Sequence, residues 1–546
     1  MARHTRRESR AARRARGAPP EGKSAALPRL RIDFALAALV LGLFAYDARE
    51  TLNPDGVAYL ENAEAIATGY WSAAIQGYWS PGFSLLLAPL VRAMRDDRAV
   101  LLGMVHLFQY IAGVGALWLA VLVAHHRVPG ALQRVAFWIA AWTVIVLLSP
   151  ELVTPDLLLC TCLLGAMVLH HQPARWAPMA TGVLAGCIFL LKTSSWPWLF
   201  AGALLALRPA WRLRSMSLVP WRTLTPAGAL IAAWLLVLGV HEGRPTLGSV
   251  GPLNAGWYLG DGSRRAPDTD LGPHARYRQT TLASGATVTF ADLRDASETY
   301  LPWSDPERWA QGFPVGSQPR LSVQRAMETW TANVKYAARW LLPLALALAA
   351  CLALSGVPAQ RARPWQWLEE RPLFTTGVVA MAVFLAIHTE GRLVAPAVLL
   401  CAFGALTSAL PARRSVALRV TSGLFVAGLL ASIGMFLIPR HGWLPRNAES
   451  LQTERTYLRQ HMTNAAVRGA IVIGPAMPWM PLLWMERLRV VAQFGAAGSN
   501  AVLSLPGPQR DAWLRATFGR DASAYAAALV TISNGRAYTT RKIEAW

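Results

Sequence analysis

The chain has 546 residues, of which 54% are hydrophobic and only 15% are charged. These proportions, with long apolar runs between residues 32 and 438, exclude an ordinary soluble domain. The formal net charge of +22 is common among nucleic-acid-binding proteins, but here the arginines are concentrated in an N-terminal arm and in short loops between the apolar runs. Because that distribution is typical of the positive-inside rule, the sequence predicts a membrane protein with no nucleic-acid partner.

The N-terminal arm, residues 1–31, carries seven arginines in its first 16 residues and is rich in alanine. We expect it to be cytoplasmic and disordered, and to contact anionic membrane lipids. No small-residue cleavage site follows the first apolar stretch, so a signal peptide is not predicted. The five cysteines all fall in predicted spans and form no CxxC pair, which argues against a disulfide framework and against a cysteine metal site.

Eleven apolar segments have the length and composition of membrane-spanning helices. If the arm is cytoplasmic, the loops that carry most of the arginines are also cytoplasmic, and the C-terminus lies outside. The high arginine and alanine content suggests a bacterium. The sequence thus predicts a polytopic α-helical protein of the bacterial cytoplasmic (inner) membrane, with residues 32–439 as its transmembrane domain. The predicted spans lie near residues 32–47, 99–124, 132–149, 157–171, 177–193, 196–208, 226–241, 337–355, 373–389, 393–410 and 418–438.

The outer side receives two long loops, residues 47–98 and 241–335, and a C-terminal segment, residues 440–546. The C-terminal segment is predicted to be a small extracytoplasmic α/β domain. It contains no nucleotide-binding GxGxxG pattern, so no catalysis is assigned to it. Its predicted strands are residues 469–474, 488–494 and 526–533, and its predicted helices are residues 447–462 and 509–518.

Two aspartates on the outer side are candidates for chemistry. Asp55 follows the first span, and Asp156 follows Pro155 at the start of the fourth. A carboxylate at the membrane boundary can act as a general base toward an acceptor hydroxyl or amine. Either aspartate could instead be the N-cap of the helix that follows it. A further interpretation has Asp156, together with Glu151, orienting the acceptor or supporting Asp55.

Several short motifs occur in a fixed order on the predicted outer side. They are Asp-Gly-x-x-Tyr-Leu at 55–60, Trp-Ser-Pro-Gly at 79–82, Glu-Leu-Val-Thr-Pro-Asp at 151–156, Leu-Leu-Lys-Thr at 190–193 and Glu-Gly-Arg at 390–392. Their order resembles the GT-C class of membrane glycosyltransferases, which includes protein O-mannosyltransferases and the lipid A aminoarabinose transferase. Pieces of the long loop, residues 243–248, 254 and 302–306, resemble a bacterial subgroup of uncertain substrate. Leu393 stands where the class often has tyrosine, and Gly56 follows Asp55 where it usually has a second acidic residue.

The resemblance implies an enzyme that takes a sugar from a polyprenyl-phosphate carrier and transfers it, with inversion, to a glycan, lipid or protein acceptor outside. Asp55 would deprotonate the acceptor, while Lys192 and Arg392 would hold the donor phosphate. Two alternatives stay open: Lys192 could snorkel to the interface, and Arg392 could form a structural salt bridge with Glu390. No resident cofactor is predicted, and a divalent metal is left open.

Aromatic and polar residues of the outer loops are the candidates for substrate binding. Tryptophans there could stack on sugar rings or could belong to interfacial belts. His106 and Gln109, within the second span, are expected to be hydrogen-bond partners between helices rather than ligands. The predicted substrate-binding residues are Tyr59, Trp79, Glu151, Asn254, Trp257 and Glu390, with Trp303 and Trp309 as further possible stacking rings.

Two rival functions belong to other classes. A lipid-linked sugar flippase or other transporter would be expected to carry polar residues deep in several spans and often paired repeats. The sequence shows neither, because its polar clusters fall at one face of the membrane. A non-catalytic scaffold, with the C-terminal segment recruiting a partner, is the third interpretation.

Overall fold

The structure is a computed structural model that describes most of the transmembrane part of the chain and pieces of the C-terminal segment. The predicted span at 418–438, Glu151 and Trp309 lie outside the described residues. The described residues are 26–128, 131–148, 152–170, 172–213, 219–260, 277–281, 287–292, 299–307, 321–354, 372–406, 469–473, 480–494, 529–531 and 543–544, with a few single positions.

Helices dominate the described chain. Ten of the eleven predicted spans overlap helices of the described chain, several of which end two to four residues earlier or at the edge of the described residues, and the eleventh lies outside the described residues. In chain order the helices are α1 (Ala26–Asp47), α2 (Pro54–Ala67), α3 (Trp71–Ala74), α4 (Pro81–Met94), α5 (Arg98–Arg127), α6 (Ala131–Leu147), α7 (Asp156–His170), α8 (Ala177–Leu191), α9 (Trp196–Leu213), α10 (Trp221–Glu242), α11 (Val250–Leu259), α12 (Leu301–Ser304), α13 (Val323–Leu354), α14 (Pro372–Ile387), α15 (Gly391–Leu406) and α16 (Met480–Met485).

Apolar surface on the outside of the bundle indicates a membrane. Helices α5 and α10 are 30 and 22 residues long and have the length and composition to cross one, and six further apolar helices are 10–17 residues long. Within the described α10, Leu238 alone is fully buried, whereas Leu236 and Val240 are 68% and 75% exposed. Such a continuous apolar face would be unfavourable in water and is favourable in lipid, so the bundle lies in a membrane.

Long helices that follow one another along the described chain run in opposite directions, so α5 and α7 are parallel neighbours, as are α8 and α10. Helix α5 packs on α1 and α7, α8 packs on α7 and α10, and α15 packs on α14 and α6. The C-terminal ends of α1, α8, α10 and α14 lie together with the N-terminal ends of α5, α7 and α15, because residues beside these ends are bonded to one another. We call this end the polar end of the bundle. It gathers the loops that the sequence places on one side of the membrane.

One mixed sheet joins the long loop to the C-terminal segment. Its order is β1-β2-β4-β3-β5-β6, with β3 parallel to β4 and β5 and the other pairs antiparallel. Strands β3, β4 and β5 lie within the three segments for which the sequence predicts strands. Strands β1 and β2 come from the loop 241–335, where no strand is predicted. The strands are β1 (Tyr277–Thr281), β2 (Thr287–Asp292), β3 (Gly469–Ile473), β4 (Arg489–Phe494), β5 (Leu529–Thr531) and β6 (Ile543–Glu544).

Helix α16 docks the C-terminal segment onto α2. Trp484 is 1% exposed, and the Arg98 guanidinium lies 4.4 Å from its ring centroid and donates to its carbonyl. The same guanidinium pairs with Glu64 of α2 at 2.9 Å. Because Arg98 begins α5 at the polar end, the C-terminal segment and the first outer loop lie on the same side of the bundle.

Replacing Trp484 by alanine is expected to destabilise the protein by about 3–5 kcal/mol, since it removes a large buried ring and the cation–π contact of that ring with Arg98. The measurement is thermal unfolding of the purified protein in lipid nanodiscs. Trp71→Ala is the matched control, because Trp71 is 51% exposed in the first outer loop. Equal melting temperatures for the two variants would show that the docking does not contribute to stability.

Candidate functional site

Asp55 lies in the first turn of α2, and it is not the helix cap. Asn53 occupies the N-cap position and Pro54 the first helical position. The side-chain oxygen of Asn53 accepts a hydrogen bond from the backbone amide of Val153 at 2.9 Å, which ties the start of α2 to the turn before α7. The capping interpretation of Asp55 is therefore wrong, and its carboxylate is available for another partner.

That partner is Arg392, at the start of α15. Its Nη1 lies 2.5 Å from Oδ2 of Asp55, whose residue is 9% exposed, and its Nε lies 2.5 Å from Oε2 of Glu390. The salt bridge between Arg392 and Glu390, which the sequence leaves open as an alternative to phosphate binding, is present. The guanidinium uses two different nitrogens, so it bridges two carboxylates from distant parts of the chain.

Glu390 is bound from two sides. Its other oxygen lies 3.0 Å from Nε2 of His388, and the His388 ring stacks on Tyr258 with centroids 4.1 Å apart. Burial by itself would raise the pKa of Glu390, but Arg392 and His388 hold that pKa well below its usual range. Glu390 is therefore ionised at neutral pH. His388 was not among the predicted site residues, and its place two positions before Glu390 is the signal that could have indicated it.

A second ion pair joins Asp156 and Lys192. Asp156 is the first residue of α7 and is 1% exposed; Lys192 follows the last residue of α8. Its ammonium lies 2.5 Å from Oδ1 of Asp156, and Oδ2 of Asp156 is shielded and has no hydrogen-bond partner among the described residues. Lys192 is thus held at the polar end by a buried carboxylate and does not snorkel freely.

Tyr59 lies close to both ion pairs. Burial raises its pKa well above the usual value, and the nearby carboxylates of Asp156 and Asp55 raise it further. Its ring packs edge-on against Trp79 and Phe83, with centroids 5.2 and 5.3 Å away. The Asp156 carboxylate acts electrostatically on both Tyr59 and Arg392, so the two pairs are neighbours. We call Asp55, Asp156, Lys192, Glu390 and Arg392 the ionic site.

The Trp-Ser-Pro-Gly motif positions Lys192. The hydroxyl of Ser80 accepts a hydrogen bond from the amide of Thr193 at 2.6 Å, and the two hydroxyls lie 3.2 Å apart. A Cβ at Gly82 would lie 2.8 Å from the carbonyl carbon and oxygen of Leu190. The start of α4 thus approaches the end of α8 closely, and this approach requires glycine.

Gly82→Ala is expected to destabilise the protein by about 1–3 kcal/mol, because the new methyl group overlaps backbone atoms that cannot rotate away. It should also reduce any activity that depends on Lys192, since the end of α8 must move. Gly103→Ala is the control: it is a helical position with open space around its Cβ. Thermal unfolding compares the two, and equal stability would contradict the tight contact.

Gly56 occupies the position where the resemblance leads one to look for a second carboxylate. A Cβ there would lie 2.7 Å from both Cδ1 of Leu52 and Cβ of Val153. A side chain larger than hydrogen does not fit between α2 and the turn before α7. The other carboxylates of this site come from other elements: Glu390 binds Arg392, and Asp156 binds Lys192.

Two polar side chains of α5 bind the backbone just before α2 and just before α7. Nε2 of His106 lies 2.8 Å from the carbonyl of Thr51, and Nε2 of Gln109 donates to the carbonyls of Leu152 and Thr154 at 3.1 and 2.5 Å. Both residues are hydrogen-bond partners, as the sequence suggests, and these bonds reach the backbone of the two outer turns. They fix the two turns that carry Asp55 and Asp156.

The predicted aromatic residues gather beside the ionic site. Tyr78 contacts the rings of Trp79 and Trp257 at 4.9 and 5.5 Å, and its hydroxyl lies 3.3 Å from Oδ1 of Asn254. Burial raises the pKa of Tyr78 well above its usual value, and the Asp55 carboxylate raises it further. Trp257 and Trp303 are nearly parallel, at 19° and 6.4 Å. Trp79 is 7% exposed, so it packs between loops.

The described residues contain no group of potential metal ligands. Among the described residues, no three His, Cys, Asp or Glu side chains lie close enough together to hold a metal ion.

Two solved structures are similar to this chain. The crystal structure of ArnT from Cupriavidus metallidurans in the apo state is 14% identical, with 93% of each chain covered and a TM-score of 0.39. The structure of ArnT from Cupriavidus metallidurans bound to undecaprenyl phosphate is 14% identical, with 92% of each chain covered and a TM-score of 0.39. No protein-family model matches the chain. No curated protein matches it either. Since both TM-scores are low, the role of the site rests on the residues of this chain.

Proposed function

We propose that this protein is an integral membrane glycosyltransferase that moves a sugar from a polyprenyl-phosphate donor to an acceptor on the outer side of the bacterial cytoplasmic membrane. The observation that carries the proposal is the convergence of two carboxylate–cation pairs at one end of a bundle of membrane helices. They come from four separate segments, which contain Asp55, Asp156, Lys192 and Arg392. Ionisable groups at the membrane boundary are functional candidates by default.

The reaction needs a base and a cationic site, and the ionic site contains both. In a single displacement, the acceptor oxygen attacks the anomeric carbon while the bond from that carbon to the phosphate oxygen breaks. The electron pair leaves with the phosphate, and the acceptor proton passes to Asp55. Lys192 and Arg392 stabilise the growing negative charge on the phosphate. The attack comes from the side opposite the leaving group, so the configuration inverts.

The charges of the site suggest how donor binding prepares the base. Three carboxylates (Asp55, Asp156 and Glu390) face two cations, so an anionic phosphate does not simply add to the pairs as they stand. When the phosphate accepts hydrogen bonds from Arg392 and Lys192, it replaces one carboxylate oxygen as the partner of each cation. Asp55 then turns its freed oxygen toward the acceptor. Donor binding and activation of the base are thereby one event.

The substrate-binding residues are part of the same proposal. Tyr59, Trp79, Asn254 and Trp257 border the ionic site, and Glu390 holds Arg392 in place for the phosphate. Glu151, outside the described residues, is proposed to approach the acceptor from the turn before α7. The positive-inside rule favours a cytoplasmic basic arm, and the proposal accordingly has the polar end and the C-terminal segment outside.

The test compares surface glycans and glycolipids by mass spectrometry in a deletion strain and in the same strain expressing the protein. A sugar that disappears on deletion and returns with the protein supports the transferase and identifies its product. A deletion strain with unchanged glycans and glycolipids would overturn the proposal. Reconstitution in proteoliposomes separates transport: movement of a lipid-linked sugar across the bilayer without transfer would assign the protein to the flippase class.

A further inference from the structure

The two outer loops meet at a second polar cluster, which does not include the residues of the ionic site. Gln76 donates from Nε2 to Oδ1 of Asn62 at 2.9 Å and to the carbonyl of Ser304 at 3.2 Å. Gly77 donates to Oε2 of Glu307 at 3.1 Å and accepts from the amide of Ser249 at 2.9 Å. We call this contact the loop seam. It consists of Gln76, Gly77, Ser249, Trp303, Ser304 and Glu307.

Four polar atoms of the loop seam are shielded from solvent and have no hydrogen-bond partner among the described residues. Gln76 and Ser304 are 5% and 2% exposed as whole residues. Buried polar atoms are satisfied in the great majority of cases, so four exceptions within one contact need an explanation. The atoms are Oε1 of Gln76, Oγ of Ser249, Nε1 of Trp303 and Oγ of Ser304.

The chemistry of these atoms indicates what they would bind. The amide oxygen of Gln76 accepts, the indole nitrogen of Trp303 donates, and the two serine hydroxyls do either. None of the four groups is charged, so a phosphate or a carboxylate is a poor match. A ligand with several hydroxyl groups, each both donor and acceptor, matches the donor and acceptor character of all four.

An aromatic wall lies beside the loop seam. Trp303 is nearly parallel to Trp257, and Trp79 donates from Nε1 to the carbonyl of Trp303 at 2.9 Å. Indole faces pack against the C–H face of a sugar ring, while its hydroxyl groups point to the rim. Trp79 also contacts Tyr59 at 5.2 Å, so one aromatic layer separates the loop seam from the ion pairs.

We infer that the loop seam is a carbohydrate subsite, in which a sugar ring lies against Trp303 and Trp257 and its hydroxyl groups bond Gln76, Ser249 and Ser304. The inference rests on the proposed function, because it gives that site its sugar-recognition residues. Binding can be measured without turnover, so the two can fail separately. Trapped water is the competing occupant, since it also satisfies isolated donors and acceptors.

The test uses the full-length protein in lipid nanodiscs, because maltoside detergents themselves carry a sugar. Saturation-transfer-difference NMR measures binding of methyl glycosides of hexoses, pentoses and their amino derivatives. We expect Ser304→Ala and Trp303→Phe each to weaken the binding of at least one glycoside about three- to tenfold, since the first removes a hydroxyl that bonds the sugar and the second removes the indole N–H and part of the stacking face. Ser72→Ala, at an exposed serine of the first outer loop, should bind as the wild type does.

Stability separates lost binding from misfolding. Without a ligand, the Ser304 hydroxyl is a buried group with no bond to lose, so Ser304→Ala should melt at the wild-type temperature or above it. No binding of any glycoside to the wild type, or equal binding by Ser304→Ala and Ser72→Ala, would overturn the inference and leave trapped water as the occupant.

Two competition experiments identify the source of the sugar. A comparison of two variants then separates failure of this inference from failure of the proposed function. If a lipid-carrier extract from wild-type cells competes with the glycoside, the sugar belongs to the donor. If delipidated envelope glycan from the deletion strain competes, the sugar belongs to the acceptor. If Asp55→Asn transfers sugar normally while Ser304→Ala loses glycoside binding, the proposed base is wrong and the subsite stands.

Discussion

Sugar transfer is expected to fall by about 10²- to 10⁴-fold when Asp55 is replaced by asparagine, because the variant keeps the shape of the side chain but does not accept the acceptor proton. The measurement is the initial rate of glycan modification in the deletion strain, by mass spectrometry, at matched expression. Arg392 keeps its bond to Glu390 in this variant, so the start of α15 should remain in place.

The matched control is Glu64→Gln on the same helix. Glu64 is also a carboxylate paired with an arginine, but its partner is Arg98, beside the C-terminal segment. Its transfer rate should stay within about twofold of the wild type, since the pair is partly exposed and lies away from the ionic site. Wild-type transfer by Asp55→Asn would remove Asp55 from catalysis and favour transport or scaffolding.

The sequence predicts which residues share the polar end and offers the local pair of Arg392 with Glu390, but it does not predict the pairs between distant segments. Alternation of spans and loop arginines places Asp55, Lys192 and Arg392 on one side, and the described helices have that alternation. The bond between Asp55 and Arg392 crosses 337 positions, the difference between their residue numbers, and depends on how α2 meets α15. No local pattern specifies such a contact. The sequence suggests Asp156 as support for Asp55, whereas its carboxylate contacts Lys192 in the structure.

The parts that sequence reasoning missed have weak local signals. Gln76, Ser249 and Ser304 are ordinary loop residues in the sequence, and they become notable only where two loops bury them together without enough partners. The strands Tyr277–Thr281 and Thr287–Asp292 were missed because they are rich in threonine and carry Gln, Arg and Asp. They lack the apolar run that marks 469–473, and only pairing with the C-terminal segment makes them part of a sheet.

Lys192→Met is expected to cost about 3–5 kcal/mol of stability, because it leaves the Asp156 carboxylate buried without its cation. A second change, Asp156→Asn, removes that buried charge, so the double variant should regain most of the lost stability. Sugar transfer should stay abolished in the double variant, since no ammonium is present to hold the donor phosphate. Thermal unfolding in nanodiscs measures the first effect, and glycan mass spectrometry measures the second.

The double variant distinguishes a catalytic cation from a structural one. If Lys192 served only to neutralise Asp156, removing both charges would restore transfer together with stability. Arg98→Met is the control for destabilisation, because it removes a cation at the same end that pairs with Glu64 and Trp484 but lies outside the ionic site. Its transfer per folded molecule should remain near that of the wild type. A stable double variant that transfers sugar would therefore exclude Lys192 from donor binding and leave Arg392 as the phosphate-binding cation among the described residues.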